Sequence, residues 1–472
     1  MSGLRVTNNF RRVFGFAAIL SLSLLAAAPL AAQTYAITGA KLVTGDGSAP
    51  VDNGTVVIEN GRIVAAGRNV TVPAGAERID AGGKYVTPGI FAGFSRVGLV
   101  EVDAVSGTND TEAGNSPFNA SIDVAPAINP SDSAFAVSRA AGVTRAVVSP
   151  AAATSIFAGQ GALVDLGEDF DAVTVRRAFQ FVEMGENGAR EAGGSRAATH
   201  ALFRNALREA QGYGGRLNIR GGAASEAPDG QQLAQESPDL RMLESNVDRP
   251  QDVLLTRFDA AALVPVVQGR QRLLVHVESA NDILRTLELR QEFPNLRLVL
   301  VGASEGWRVA DRIAAAGVPV IASALNDLPA SFERLAATQS NIGRMRGAGV
   351  KVAIGMIDDN DAHQLRYAPQ YAGNLVGLQR VPGADGLTWD EAFAAISGDV
   401  ADIMGVGDRL GHLRSGAAGD VVLWSGDPLE LSSAPERVWI DGVEQSLDNR
   451  QARLRERYRT PQEGALPKAY ER

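Results

Sequence analysis

The chain has 472 residues, of which 45% are hydrophobic, so it is long enough for one large domain with its own core and a smaller second domain. Its formal net charge is −9 at pH 7, which argues against nucleic acid or an anionic membrane surface as the main partner. It contains no cysteine, which excludes disulfides, thiol chemistry and lipid attachment through a thiol.

The N-terminus has the features of a secretory signal peptide. Arg5, Arg11 and Arg12 precede an apolar run from Val13 to Ala28, and small residues follow it. The run is shorter than the ~20 apolar residues that a membrane-spanning helix needs. We therefore expect cleavage near Ala32, export to a bacterial periplasm and no stable membrane anchor in the mature protein.

Short segments of alternating polarity follow the signal and recur near the C-terminus. The first group is divided by Asn60-Gly61 and the second turns at Asp441-Gly442, and both dipeptides are typical of β-hairpins. Both ends of the mature chain are therefore predicted to be rich in β-strands.

The central region alternates apolar strands with helices. The strand candidates are Arg272–Val277, Arg297–Val301, Val318–Ala322 and Val350–Ile354. The helical stretches between them are Asn281–Phe293, Gly306–Ala316 and Phe332–Arg346. Strands that are apolar on both faces and alternate with helices predict a parallel sheet covered by helices. At this length a closed (β/α)8 barrel is favoured over an open doubly wound sheet.

Local signals mark some of the boundaries in this region. Ser279 with Asp282, and Thr388 with Glu391, have the spacing of helix starts. Two stretches, roughly 107–133 and 221–251, are polar and rich in glycine, proline and aspartate, which predicts long loops.

Taken in order, five segments of the chain resemble the amidohydrolase superfamily, and in particular its imidazolonepropionase-like branch. These segments are GRIVAAG, VTPGI, LLVHVESANDI, GVKVAIG and DIMGVGDRLGHLRSGAAGDVVLWSGDPL. The resemblance implies an α/β fold in which a (β/α)8 barrel carries a small composite β-sandwich built from both chain ends. The expected division is signal peptide 1–32, sandwich 33–84 and 406–450, barrel 85–405 and polar tail 451–472.

The resemblance also implies hydrolysis of non-peptide carbon–nitrogen bonds with a divalent metal, usually zinc. Such a metal lowers the pKa of a bound water and polarises the scissile carbonyl. In the family its ligands are a His-x-His motif on the first barrel strand, histidines after the fifth and sixth strands, and an aspartate at the last strand. Some members add a carboxylated lysine on the fourth strand.

Most of these positions are changed in this chain. Phe94 and Arg96 stand where the His-x-His motif belongs, and Gly302 stands at the position of the sixth-strand histidine. No lysine occurs between Lys84 and Lys351. Catalytic zinc usually has three protein ligands, so the sequence predicts a depleted site with weak or absent metal binding.

Two family positions survive in part. His276 matches the fifth-strand histidine, and Asp358 is nearest to the catalytic aspartate although it lies one residue late. Both are candidate catalytic residues and metal ligands. Glu278 is a candidate third group, because it shares the inward face of its strand with His276. A lone inward histidine is also compatible with a purely structural role in the core.

Four residues are candidates for lining the site, namely Phe94, Glu278, Arg96 and His363. Arg96 is hypothesised to fill the vacant metal position and to pair with Asp358 or Glu278, a fixed cation in place of a removable one; the alternative is that it points to solvent above the rim. His363 follows the acidic run 358–361, which either binds a hard cation through oxygen or forms a solvated loop.

The sequence leaves two functional interpretations open. The first is a C–N hydrolase with an altered site, acting on an unknown small-molecule substrate. The second is a catalytically inactive relative that binds a ligand or serves as a partner subunit in a homo- or hetero-oligomer. The metal content of the purified protein separates the two.

Overall fold

A computed structural model describes residues 33–102, 104–221, 254–324, 326–357 and 362–459, without the side chains of 214–221. Several predicted features lie outside these ranges: the signal peptide at 1–32, most of the loop at 221–251, the acidic run 358–361 with Asp358, and the tail beyond 459.

Within the described residues the strands are, in chain order, β1 Tyr35–Leu42, β2 Val51–Glu59, β3 Arg62–Gly67, β4 Glu77–Asp80, β5 Tyr85–Pro88, β6 Ile90–Ser95, β7 Val143–Val148, β8 Phe157–Asp165, β9 Val173–Glu183, β10 Arg272–Val277, β11 Arg297–Gly302, β12 Val320–Ala322, β13 Val352–Ile354, β14 Val421–Trp424, β15 Pro435–Ile440 and β16 Val443–Gln445. The α-helices are α1 Ser133–Ala140, α2 Gly185–Glu191, α3 Arg196–Gly221, α4 Arg257–Val267, α5 Ala280–Glu292, α6 Ala310–Ala316, α7 Asn341–Gly347, α8 Ala368–Gly377, α9 Trp389–Ala394, α10 Gly398–Met404 and α11 Arg450–Arg459.

One sheet, the terminal sheet, is formed from both ends of the chain. Its order is β16-β15-β14-β5-β1-β2-β3, and β4 pairs with β1. Asn60 and Gly61 have φ of 51° and 77°, and Asp441 and Gly442 have 48° and 73°, so each hairpin turns through the positive-φ pair that its sequence predicts. β14 joins the N-terminal strands by pairing antiparallel with β5. A separate sheet built from both ends is therefore confirmed.

The second sheet is the barrel, with strand order β13-β12-β11-β10-β9-β8-β7-β6. The backbone N–H of Met356 donates to the carbonyl of Phe94 at 3.0 Å, which joins the segment after β13 to β6. The predicted barrel is confirmed, with one difference in detail. The third strand, β8, runs antiparallel to both β7 and β9, so a hairpin replaces one β/α unit.

Two helices, α5 and α9, begin where the sequence predicts, whereas the helix predicted over 332–346 differs from the structure. Ser279 caps α5 by accepting from the N–H of Asp282, and Thr388 forms a capping box with Glu391 at α9. The continuous helix predicted over 332–346 is wrong. Only a short 3-10 turn and α7 form there, because Ala336 donates its N–H to Glu305 and its carbonyl accepts from the Trp307 indole.

The interior of the barrel is filled by apolar side chains from alternate strand positions, including Phe94, Phe181, Leu274 and Val299. Val400, Ala401, Ile403 and Met404 of α10 extend this cluster. No helix in the described ranges is long and apolar enough to cross a bilayer.

Candidate functional site

A cavity of about 520 Å³ opens at the carboxyl ends of the barrel strands. We call it the mouth cavity. Its walls include residues of the first, fourth and fifth barrel strands and of the loops above them, among them Phe94, Arg96, Thr111, Phe181, Glu183, Asn187, Arg190, His276, Arg334, Ile357 and His363. Ligand sites of α/β barrels lie at this end, because the loops that follow the strands converge there.

The two-residue period of the strands places the central polar groups of this cavity. On β9, Phe179 and Phe181 point into the barrel core, and Glu183 continues the same series at the end of the strand. On β10, Leu274 is in the core and His276 continues its series. The two polar side chains are therefore brought together on adjacent parallel strands.

His276 is held between two carboxylates. Its Nδ1 lies 2.6 Å from Oε1 of Glu183, and its Nε2 lies 3.0 Å from Oε1 of Glu278. Glu278 is also contacted by the guanidinium of Arg334 at 2.8 Å, and its Oε2 accepts from the backbone N–H of Ser304 at 2.8 Å. These four side chains, Glu183, His276, Glu278 and Arg334, form what we call the carboxylate–histidine cluster.

The electrostatics of the cluster favour a charged imidazole. Burial opposes a charge on His276, but the negative charges of Glu183 and Glu278 outweigh burial and raise the pKa of His276 well above its ordinary value. Burial likewise opposes a charge on Glu278. The hydrogen bond and charge of His276, together with Arg334, outweigh it and lower the pKa of Glu278 to about 2. At neutral pH both ring nitrogens of His276 therefore carry protons and donate.

Gly302, where the family resemblance places a histidine, lies directly against this cluster. Its φ is +87°, and a β-carbon added there would lie 2.7 Å from Oε1 of Glu278 and 2.9 Å from Cδ2 of His276. The Glu278 carboxylate therefore fills the space that a side chain at position 302 would need. The glycine at position 302 and the position of Glu278 are therefore two parts of one arrangement.

The residues described at the mouth do not fit a divalent metal. A doubly protonated imidazole has no lone pair to offer, and the oxygens of Glu278 already accept from His276, Arg334 and Ser304. Within the described ranges, no group of three or more His, Asp or Glu side chains has the arrangement of a metal site. The family resemblance implies such a metal, and the described residues offer it no complete set of ligands.

Phe94, Arg96 and His363, which the sequence also predicts for the site, all line the mouth cavity. Phe94 is 1% exposed and its ring centroid lies 5.4 Å from that of Phe181, so the two rings pack together in the core and form the apolar floor of the mouth cavity. Arg96 is half-buried and lines the cavity, and His363 does so as well. The guanidinium of Arg334 contacts Glu278, one of the two partners predicted for Arg96, and the other predicted partner, Asp358, lies outside the described residues.

Two members of the cluster were missed by sequence reasoning. Glu183 occupies the end of the fourth barrel strand, where some family members carry a lysine, and its period-two spacing from Phe179 and Phe181 was a usable signal. Arg334 had no such signal, because it comes from a 3-10 turn inside a stretch that reads as helix.

Part of the chain is similar in sequence to a known protein family. Residues 296–444 match the amidohydrolase family. The chain is 25% identical over 420 residues to "Amidohydrolase tasK" of Hapsidospora irregularis, an alignment that covers 84% of this chain and 40% of that protein. The chain thus spans about two-fifths of the length of this relative.

The barrel and its terminal sheet also recur in a solved structure. An amidohydrolase from Thermotoga maritima MSB8 has a TM-score of 0.72 and 22% identity, with 87% of this chain and 99% of that chain covered. This similarity shows that the two proteins share a fold. Residues 296–444, which match the amidohydrolase family, are thus part of a barrel fold that this chain shares with the Thermotoga maritima protein.

Proposed function

We propose that this chain is a ligand-binding member of the amidohydrolase superfamily whose mouth cavity does not perform metal-dependent hydrolysis. One observation carries the proposal: both ring nitrogens of His276 are engaged by carboxylates, and Glu278 fills the space beside Gly302. A fixed network of protein charges thus stands where the family places its metal.

The lining of the mouth cavity indicates the kind of ligand. Three arginines, Arg96, Arg190 and Arg334, are accompanied in the lining by three glutamates, Glu112, Glu183 and Glu191. These charges nearly balance, and amide and hydroxyl groups lie among them. A neutral or zwitterionic polar molecule is therefore the expected ligand, because a polyanion or polycation would meet like charges on part of the wall.

A second candidate function is hydrolysis of a non-peptide carbon–nitrogen bond, as in the imidazolonepropionase-like branch that the sequence resembles. The match of residues 296–444 to the amidohydrolase family supports it, and so does the position of Glu183 and His276 at the ends of the fourth and fifth barrel strands. This candidate needs a metal such as zinc, held with help from residues beyond those described here.

Elemental analysis of the full chain, purified without chelators, tests the proposal. We expect well under one equivalent of zinc per chain, and no zinc-stimulated release of acetate from a panel of N-acetyl amino acids. The variant His276→Ala should not change either result, and His200→Ala is the matched control on α3. A full equivalent of zinc that is lost together with activity in His276→Ala, but kept in His200→Ala, would establish the hydrolase instead.

We also propose that the protein is exported after cleavage of its signal peptide. It functions either as a monomer or as a subunit of an oligomer. Mass spectrometry of the native protein should find an N-terminus close to Gln33, and an intact Met1 would contradict export with cleavage. Light scattering of the same sample measures the oligomeric state.

A further inference from the structure

A second cavity, of about 470 Å³, lies at the end of the barrel opposite the mouth. Arg272 and Arg297 are the first residues of β10 and β11, and these strands are parallel, so both side chains start from the same edge of the sheet. Residues of α10 close the other side. We call this space the basal cavity; its polar lining consists of Arg272, Arg290, Arg297, Lys351 and Asp402.

The basal cavity carries more positive charge than the described carboxylates around it neutralise. Among its lining side chains four are cationic and one is a carboxylate. That carboxylate, Asp402, lies 2.7 Å from Lys351, which is also 3.4 Å from Asp399. In the described ranges the guanidinium groups of Arg272, Arg290 and Arg297 have no carboxylate partner. Such a cluster is unexpected in a chain whose net charge is −9.

Two of these arginines are nevertheless fixed in place. Arg272 donates from Nε to the carbonyl of Ile403 at 2.6 Å, and Arg290 donates from one terminal nitrogen to the carbonyl of Ala316. The Nε of Arg290 is buried and has no hydrogen-bond partner among the residues that the structure describes. Burial and the neighbouring charge of Arg297 lower the pKa of Arg272. An anion bound between these groups would accept a hydrogen bond from Nε of Arg290 and would reduce the repulsion between the charges of Arg272 and Arg297.

We propose that the basal cavity binds a small molecule through its phosphate or pyrophosphate group, with Arg272, Arg290 and Arg297 as the phosphate ligands. Guanidinium groups present paired N–H donors that match phosphate oxygens. Three cations suit a group that carries two or more negative charges. The volume lies within the range of small-molecule sites and exceeds what inorganic phosphate alone requires. This site is independent of the mouth cavity and of the function proposed for it.

Isothermal titration calorimetry of the full chain, at constant ionic strength, tests the proposal with inorganic phosphate, pyrophosphate and succinate. Pyrophosphate is expected to bind with one site per chain, and succinate much more weakly. Charge-assisted hydrogen bonds are strong enough that Arg272→Gln and Arg297→Gln should each weaken binding by about tenfold or more. Arg312→Gln is the matched control, because Arg312 is exposed on α6 and does not line the cavity.

Arg297 is exposed at the start of its strand, so Arg297→Gln should keep the fold even if Arg272→Gln does not. Tighter binding of pyrophosphate than of inorganic phosphate would indicate a larger phosphorylated ligand, whereas equal binding would indicate the free ion; both support the site. Saturable binding that Arg297→Gln and Arg312→Gln weaken equally would overturn it. The absence of saturable binding by either phosphate probe, or succinate binding as tight as pyrophosphate, would overturn it as well.

Discussion

Arg145, in barrel strand β7, is joined to Asp420, the residue that precedes β14 of the terminal sheet, by two hydrogen bonds of 2.7 and 3.0 Å. Both residues are less than 5% exposed. The same guanidinium lies 2.7 Å from Asp441 and 3.7 Å from Asp165. One buried cation thus connects the barrel to the sheet made from the chain ends.

Replacing this cation should destabilise the protein strongly. Arg145→Met leaves two buried carboxylates without their partner, and breaking a buried ion pair in this way costs about 3–5 kcal/mol. Urea unfolding measures the change. The control is Arg176→Met, which removes an ion pair whose arginine is 60% exposed and should cost less than about 1 kcal/mol. Equal losses in the two variants would show that Arg145 has no special role.

Asp165 should make stability depend on pH in the opposite sense to most carboxylates. Burial raises its pKa from 3.8 to about 6, although the N–H of Gly167 and the charge of Arg145 oppose the shift. Between those two values the folded protein keeps a proton that the unfolded chain releases. The contribution of Asp165 to the free energy of unfolding therefore decreases as pH rises through that window and is constant above it.

The variant Asp165→Asn removes this titration and can still accept from Gly167. Its urea midpoint, relative to that of the unmodified protein, should rise between pH 4 and pH 6 and then stay level. A difference that is constant over this range would contradict a raised pKa of Asp165.

The local signals of the sequence were sufficient for much of the fold. Asn60-Gly61 and Asp441-Gly442 fix their hairpins because both residues of each pair tolerate positive φ, and Ser279 starts a helix with its own side chain. The inward direction of His276 followed from strand periodicity alone. Such features depend on neighbours within a few residues.

The features that could not be predicted from the sequence depend on contacts between residues that are far apart in the chain. Glu183 binds His276 across 93 residues, and nothing near either one specifies the other. The direction of β8 was not predictable, because an apolar strand packs equally well in a parallel or an antiparallel position. The break in the helix at Ala336 is caused by Glu305 and Trp307, which lie on a different loop.

The charged state of His276 can be measured by NMR of protein labelled at histidine, since the chain has 4 histidines. Two carboxylates raise the pKa of His276, whereas burial lowers that of His200. His276 should therefore titrate at a higher pH than His200. Glu183→Gln should lower the pKa of His276 and leave His200 unchanged, and a reversed order of the two titrations would contradict the cluster.

This raised pKa also has a consequence for stability. A histidine whose pKa is raised on folding stabilises the protein fully below about pH 6.5, the ordinary value, and this stabilisation is lost as pH rises through the folded-state pKa. The free energy of unfolding should thus fall on the alkaline side of neutrality, and it should fall less in Glu183→Gln.

Gly302→Ala tests how tightly the cluster is packed. The substitution places a methyl group within 2.7 Å of Oε1 of Glu278, at a φ of +87°. Strain of this kind costs about 1–3 kcal/mol, and here displacement of Glu278 adds to it. Gly317→Ala is a matched control, since Gly317 also has a positive φ, +59°, but nothing within 4 Å of the added carbon. If urea unfolding shows that Gly302→Ala lowers the free energy of unfolding less than Gly317→Ala does, the space beside Gly302 is open.

The pairing of β5 with β14 has a consequence for the order in which the molecule is made. Val86 of β5 pairs with Leu423 of β14. The ribosome therefore synthesises the whole barrel before the strand that pairs with this edge of β5 exists. Until then that edge offers unpaired backbone groups to any strand nearby. Contacts between such distant segments slow folding, and the newly made chain therefore passes through a long interval in which it is most exposed to aggregation.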